Sequence, residues 1–362
     1  MKKTEEILKA YEDYKLKAVN NELVEKFLNS PARYAFGMGL YTKELVKKLR
    51  IDYLTDSRAQ KDDAPRYGIP VCALDDIPKD AVILCITIVS YDIISALLKE
   101  KGFHSIISFF DLISYNIYYC ISIFRPLSIE NFTENIDRYE DIYNGFSDDI
   151  SKKTFKDVIL CRLTQNLEIL KDYNCKPDEQ YFEDFLDLKE GEVFVDCGGF
   201  EGETTNAFIK KCPKYAYVYI FEPTYTMEDA KLLLAKHKNI EFIKKGVWNR
   251  AETLRFTVDA DLPVASAITD DGDTTIEVVA LDEAITLKAT FIKMDVEGAE
   301  LNALRGAEQI IKRDRPKLAI CVYHRQDDFW QIFEYVKSIA PDYKVYLRHY
   351  APATYDTVMF FV

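Results

Sequence analysis

The chain alternates short, almost wholly apolar runs with longer stretches in which apolar residues recur at helical spacing, and this alternation begins twice. Apolar runs suit parallel strands buried on both faces, whereas the three-to-four-residue recurrence marks amphipathic helices. Residues 1–30 carry Ile7, Leu8, Tyr11, Tyr14 and Ala18 amid Lys and Glu and predict a helical lead-in that stops near Asn29-Ser30-Pro31. Residues 31–113 then read as a strand, a Gly37-x-Gly39 turn and a helix, followed by Ile51–Asp56 as a second strand ended by an acid. Ala81–Thr87 and Ser105–Phe109 are further strands around a helix at Tyr91–Lys101, so this part predicts a small Rossmann-like α/β domain with a parallel sheet. Residues 114–185 are poor in glycine and predict a helical connector and cover, with one helix from Phe155 to Tyr173.

The alternation restarts in residues 186–362. Strands are expected at Val193–Val195, Tyr217–Glu222, Ile240–Ile243, Ala289–Asp295, Lys317–His324, Tyr343–Arg348 and Thr357–Val362. Helices fall at Thr226–Lys236 and Leu301–Lys312, and Thr253–Val258 with Thr274–Val279 reads as an inserted pair of edge strands. The prediction is a seven-stranded α/β sheet closed by a terminal antiparallel hairpin.

With 362 residues, 48% of them hydrophobic and 30% charged, the chain can fill two cores. The net charge of −13 and the absence of a Lys/Arg cluster argue against nucleic acid as a partner. Eight cysteines without CxxC spacing read as reduced core residues, and the charged start lacks a signal-peptide pattern, so a cytoplasmic location is expected. The apolar stretch Ile113–Phe124 is too short to span a bilayer and reads as a buried helix.

Three acids, Asp196, Glu222 and Asp295, close three strands of the second sheet, and ligands bind such sheets outside the carboxyl ends of the strands. Asp196 is followed by Gly198, Gly199 and Gly202, a turn that lets backbone approach a ligand. Glu222 is placed to accept hydrogen bonds from ribose hydroxyls, which points to a nucleoside cofactor. Glu203, Thr204, Pro223, Gly246 and Val247 complete the candidate cofactor-binding set. The acids around the turn would repel a pyrophosphate but tolerate a sulfonium and an ammonium, so S-adenosylmethionine fits better than NAD. The front turn lacks a third glycine, Thr42 standing in its place, so Gly37, Gly39 and Asp56 mark either a ligand turn or a purely structural one.

Asp295, Glu297 and Glu300 could fix the methyl donor, orient a hydroxyl, bind a divalent metal, or simply complement a helix dipole. No metal is included in the expected site. His324, at the end of its strand, is the candidate general base beside Asp295 and Glu297, against the alternative of a hydrogen-bonded structural histidine. Arg348-His349-Tyr350 could line the acceptor pocket.

Glu192-Val-Phe-Val-Asp-Cys-Gly-Gly-Phe-Glu-Gly-Glu-Thr-Thr205, Phe221-Glu-Pro223, Leu281-Asp282, Phe291-Ile-Lys-Met-Asp-Val-Glu-Gly-Ala-Glu300 and Leu304-Arg-Gly-Ala307 together resemble the FkbM family of S-adenosylmethionine-dependent methyltransferases. The resemblance covers roughly residues 150–362. It implies a class I methyltransferase fold and methyl transfer to a hydroxyl, commonly on a sugar or glycan-linked small molecule. The family usually has alanine where this chain has Gly199, a change expected only to loosen the turn. Residues 31–113 resemble Rossmann-like domains attached to sugar-modifying enzymes. The alternative function is a nucleotide or NDP-sugar binding module with an idle methyltransferase-like domain; a homo-oligomer is left open.

Overall fold

A computed structural model describes residues 2–17, 21–60, 62–86, 91–115, 127–174, 176, 179–257, 267–268, 272 and 274–362. The chain divides into two compact units, one of Glu5–Pro126 with Ile159–Ile169, the other of Lys2–Thr4, Leu127–Val158 and Leu170–Val362. In the first, β1 (Tyr34–Phe36), β2 (Tyr53–Thr55), β3 (Ile83–Cys85) and β4 (Ile106–Ser108) form a parallel sheet in the order β2-β1-β3-β4. The expected small α/β sheet is present. The lead-in is helical as expected over Lys3–Lys17 and Asn21–Leu28, with Ala18 outside the described residues, and Asn21–Leu28 buries Val24 and Phe27 in a cluster with Leu54, Leu84 and Ile107. Thr87, Val258 and residues 116–124 of the apolar stretch lie outside the described residues. Among those described, no helix is long and apolar enough to cross a membrane.

The second unit holds β5 (Val193–Cys197), β6 (Tyr217–Phe221) and β7 (Ile240–Ile243), then β8 (Gly246–Val247), β9 (Glu252–Thr257), β10 (Ala267–Ile268) and β11 (Thr274–Val279). It closes with β12 (Phe291–Met294), β13 (Lys317–Cys321), β14 (Val345–His349) and β15 (Thr357–Phe361). Seven of these make one sheet in the order β14-β15-β13-β12-β5-β6-β7, parallel except for β15, which runs against β13 and β14. The direction of strand order reverses between β5 and β12, so the crevice of the sheet opens there. Sequence pattern explains the positions: every residue of β5 is buried, as for a strand covered on both faces, whereas β14 alternates buried and half-buried residues at the edge. β9 and β11 form the expected inserted antiparallel pair, extended by β8 and β10 into a small second sheet.

Two helices differ from expectation for local reasons. The stretch Leu301–Lys312 is divided at Gly306–Ala307 into Glu300–Arg305 and Glu308–Asp314, and position 306 admits only glycine because a Cβ there would lie 1.9 Å from the Trp248 carbonyl oxygen. Asp282 then holds the second piece, its carboxylate accepting from the amides of Gln309 (3.0 Å) and Ile310 (2.9 Å). The helix expected at Phe155–Tyr173 runs instead over Asp149–Thr164 and is followed by a 3₁₀ turn at Leu167–Leu170, with Gln165 between them in the left-handed region (φ 57°).

The core beneath the crevice is aromatic. Phe194 stacks on Phe208 (4.4 Å between centroids) and on Phe291 (5.0 Å), and Phe182 meets Phe291 edge to face. Replacing Phe291 by Ala should therefore lower the unfolding free energy by about 3–5 kcal/mol in denaturant titrations. A loss below about 1 kcal/mol would mean that the stack is not what anchors β5 to β12.

Candidate active site

The residue at the centre of the crevice is Asp196, on β5, which is wholly buried. One oxygen accepts from Thr205 Oγ1 (2.8 Å) and the other lies 3.2 Å from Lys293 Nζ, a lysine on β12 that is itself buried. Lys293 also donates to the Gly198 carbonyl (2.7 Å) and lies over the Tyr181 ring. Burial opposes its charge, yet Asp196 and Asp295 hold its pKa above the usual lysine range. Asp196 thus acts from beneath the turn, fixing its shape through Lys293 and Thr205.

The turn is tight for a packing reason. Gly198 has φ 77°, and a Cβ there would lie 1.8 Å from the Asp295 carbonyl oxygen, so only glycine lets the ends of β5 and β12 approach this closely. A Cβ at Gly199 would sit 2.3 Å from Ile220 Cγ2. Glycine at 199 therefore does not loosen the turn, contrary to expectation, because Ile220 fills the space an alanine methyl would take. Gly202 (φ 85°) precedes the helix Glu203–Lys211, which carries Thr204 and exposes Glu203.

Glu222 follows β6 and is buried. Its oxygens accept from the Phe200 amide (3.1 Å), the Thr224 amide (2.9 Å) and Thr224 Oγ1 (2.6 Å), with Pro223 between. About one of its four lone-pair sites is left for a ligand, fewer than a pair of ribose hydroxyls asks for. Gly246 and Val247 are placed in β8, beyond the end of β7, paired with Val278 and Val279.

Asp295 accepts from the Tyr181 hydroxyl (2.8 Å) and the Tyr323 hydroxyl (3.3 Å) and faces His324 Nε2 at 3.4 Å. Burial pushes its carboxyl up, but Lys293, His324 and Tyr181 outweigh this and leave it below the usual range. His324 is enclosed by acids: Glu300 lies 2.9 Å from Nδ1, and Glu297, held in the left-handed region (φ 53°), 3.4 Å from Nε2. Burial disfavours the charged ring, yet Glu300 and Glu297 raise its pKa well above 6.5. Those acids favour the charged ring, which bears against the expected role of His324 as a proton acceptor. Asp295, Glu297 and His324 bring one ligand atom each within 4.8 Å of one another, as do Glu300, His324 and Asp328, a spacing that could hold a cation.

Arg348 and Tyr350, expected at the acceptor pocket, are instead tied up structurally. Arg348 pairs with Asp148 (2.7 Å) and donates to Ser151 Oγ (3.0 Å), and the Tyr350 hydroxyl donates to Glu183 (2.8 Å). His349 is buried against Thr357 and its pKa falls to about 4 by desolvation. The front glycine turn, in the other unit, closes on itself: Thr42 Oγ1 donates to the Gly37 carbonyl (2.7 Å) and the Tyr67 hydroxyl to that of Met38 (3.1 Å). Asp56 there accepts from the Arg58 amide. Tyr181, Lys293 and Thr205 were not among the expected site residues. Lys293 and Thr205 lie inside the quoted motifs, but nothing in the pattern around Tyr181 marks it.

Residues 195–351 match the model of the methyltransferase FkbM domain. That stretch, less than half of the chain, is similar to an FkbM methyltransferase domain. A solved structure of methyltransferase FkbM from Methylobacillus flagellatus KT is similar over 99% of this chain and 98% of that one, with a TM-score of 0.81 and 22% identity. Weaker likenesses cover about half of this chain. One is to an rRNA methylase from Streptococcus thermophilus (TM-score 0.33, 18% identity, 49% of this chain and 90% of that one). Another is to Aeropyrum pernix fibrillarin in complex with S-adenosyl-L-methionine (0.31, 16%, 48% and 67%). No curated protein matches the chain. A domain of the FkbM family takes its methyl group from S-adenosylmethionine, and the glycine turn with its surrounding acids fits that cation.

Two outcomes follow from the electrostatics. Lys293→Met strands a buried carboxylate and should cost about 3–5 kcal/mol in denaturant unfolding, with Asp196→Asn added in the same chain recovering part of it. For His324 the folded-state pKa lies above the unfolded value of 6.5, so its stabilisation is complete below that pH and is lost as pH rises through the folded value. Wild-type stability should therefore decline on the alkaline side of neutrality and His324→Gln should flatten the profile; equal profiles for the two would show a neutral ring.

Proposed function

We propose that the second unit transfers a methyl group from S-adenosylmethionine to a hydroxyl of a sugar or glycan-linked small molecule. The observation that carries this reading is the convergence of the glycine turn after β5, Glu222 after β6 and Asp295 after β12 at one carboxyl edge, where the basic groups present, Lys293 and His324, each lie against carboxylates. The cofactor supplies an electrophilic methyl on a positively charged sulfur. The turn at Gly198–Gly202 would hold its amino-acid portion by close backbone approach, and Glu222 would take one hydroxyl of its ribose. A hydroxyl oxygen is a weak nucleophile that needs its proton removed as it is methylated, and the crevice is supplied with carboxylates for orienting hydroxyls. Reduced cysteines at positions 72, 85, 161, 197, 212 and 321 are in keeping with a cytoplasmic setting.

Calorimetric titration with S-adenosylmethionine and S-adenosylhomocysteine tests the reading. Wild type is expected to bind both, and Asp196→Ala or Glu222→Ala to abolish or strongly weaken binding. A wild type that binds neither would sink it, while binding without methyl transfer to any of a panel of glycosides and nucleotide sugars would remove the proposed acceptor class.

A further inference from the structure

Asp356 has no role in the site as described so far, and the topology puts it there. β15 runs antiparallel to β13, with Val358 opposite Cys321, and the Val322 amide donates to the Thr357 carbonyl (3.0 Å). The start of β15 therefore stands where β13 ends, and Asp356, one residue earlier, lies at the same carboxyl edge as Asp295 and His324. Gln180 Nε2 donates to Asp356 Oδ1 (3.2 Å), while the next residue, Tyr181, donates its hydroxyl to Asp295 Oδ2. One dipeptide thus ties both carboxylates. The backbone is fixed as well: Asp356 is held at φ 61°, a region uncommon for residues other than glycine, and its carbonyl accepts from the Tyr350 amide (3.1 Å). Among the described residues no lysine or arginine forms an ion pair with it.

We infer that Asp356 is the group that takes the proton from the methyl-accepting hydroxyl. This rests on the reading of the domain as an O-methyltransferase. The hydroxyl oxygen forms a bond to the methyl carbon as the carbon–sulfur bond breaks, the bonding pair goes to sulfur and leaves a neutral thioether, and the proton passes to Asp356 Oδ2. The environments of the two aspartates differ in the sense this division of labour requires. Asp295 is kept ionised by Lys293 and His324, whereas burial and then the charge of Asp295 push Asp356 up to about 6. The groups acting on Asp356 are Asp295 after β12, Glu297 in the following loop, Tyr323 and His324 after β13, and Gln180 and Tyr181 before β5. His324 tempers the shift, and its own acids favour its charged form.

The test uses the full chain carrying aspartate labelled with carbon-13 at the side-chain carboxyl, titrated by NMR between about pH 4 and pH 8 with S-adenosylhomocysteine bound. One resonance is expected to titrate near pH 6 and to be missing from Asp356→Asn. With a glycoside acceptor, Asp356→Asn should lose at least about a hundredfold in kcat at unchanged S-adenosylhomocysteine affinity, and Asp356→Glu should regain part of it. In wild type kcat should rise through pH 6 to a plateau. An Asp356 that titrates in the ordinary carboxylate range, or an Asn variant within about threefold of wild type, overturns the assignment while leaving the methyltransferase reading intact. A wild type that fails to bind S-adenosylhomocysteine brings down both.

Discussion

The buried pair of Lys293 and Asp196 is the contact on which the site depends. Both side chains are removed from water between two central strands, a costly arrangement unless the charges meet and their remaining hydrogen-bonding capacity is used. It is used: Thr205 takes the second oxygen of Asp196, and Lys293 reaches the Gly198 carbonyl. The consequence is geometric. A lysine from β12 holds the backbone of the turn after β5, so the two strands flanking the crevice are locked together where a ligand must enter.

From that lock the electrostatics of the mouth follow. Lys293 also acts on Asp295, which stays ionised and receives two tyrosine hydroxyls, and Asp295 in turn faces His324 and raises Asp356. Each carboxylate has a different neighbour, and the neighbour sets its chemistry. Glu300, Glu297 and His324 form a closed charge cluster, whereas Asp356 faces the cluster without a cation of its own.

Much of the fold was legible because its signals are local. Apolar runs of four or five residues gave the strands of both sheets, and strand-ending acids gave the carboxyl edge. Helix boundaries were less legible where distant groups intervened: the Trp248 carbonyl lies against Gly306, and Asp282 caps the helix that restarts after it. Gly199 reads as a permissive change along the chain, whereas in space Ile220 occupies the position a methyl would take.

The sequence by itself determined that glycines and acids follow particular strands, since that requires only the order of residues and the period of two or three and a half that buries them. Tertiary structure alone decided which of those acids are charged and which are spent. Protonation depends on desolvation and on charges a few ångströms away, and these came from elements more than a hundred residues apart, such as Tyr181 beside Asp295 and Gln180 beside Asp356. For the same reason His324, read along the chain as a candidate base, is in space surrounded by carboxylates that favour its charged form.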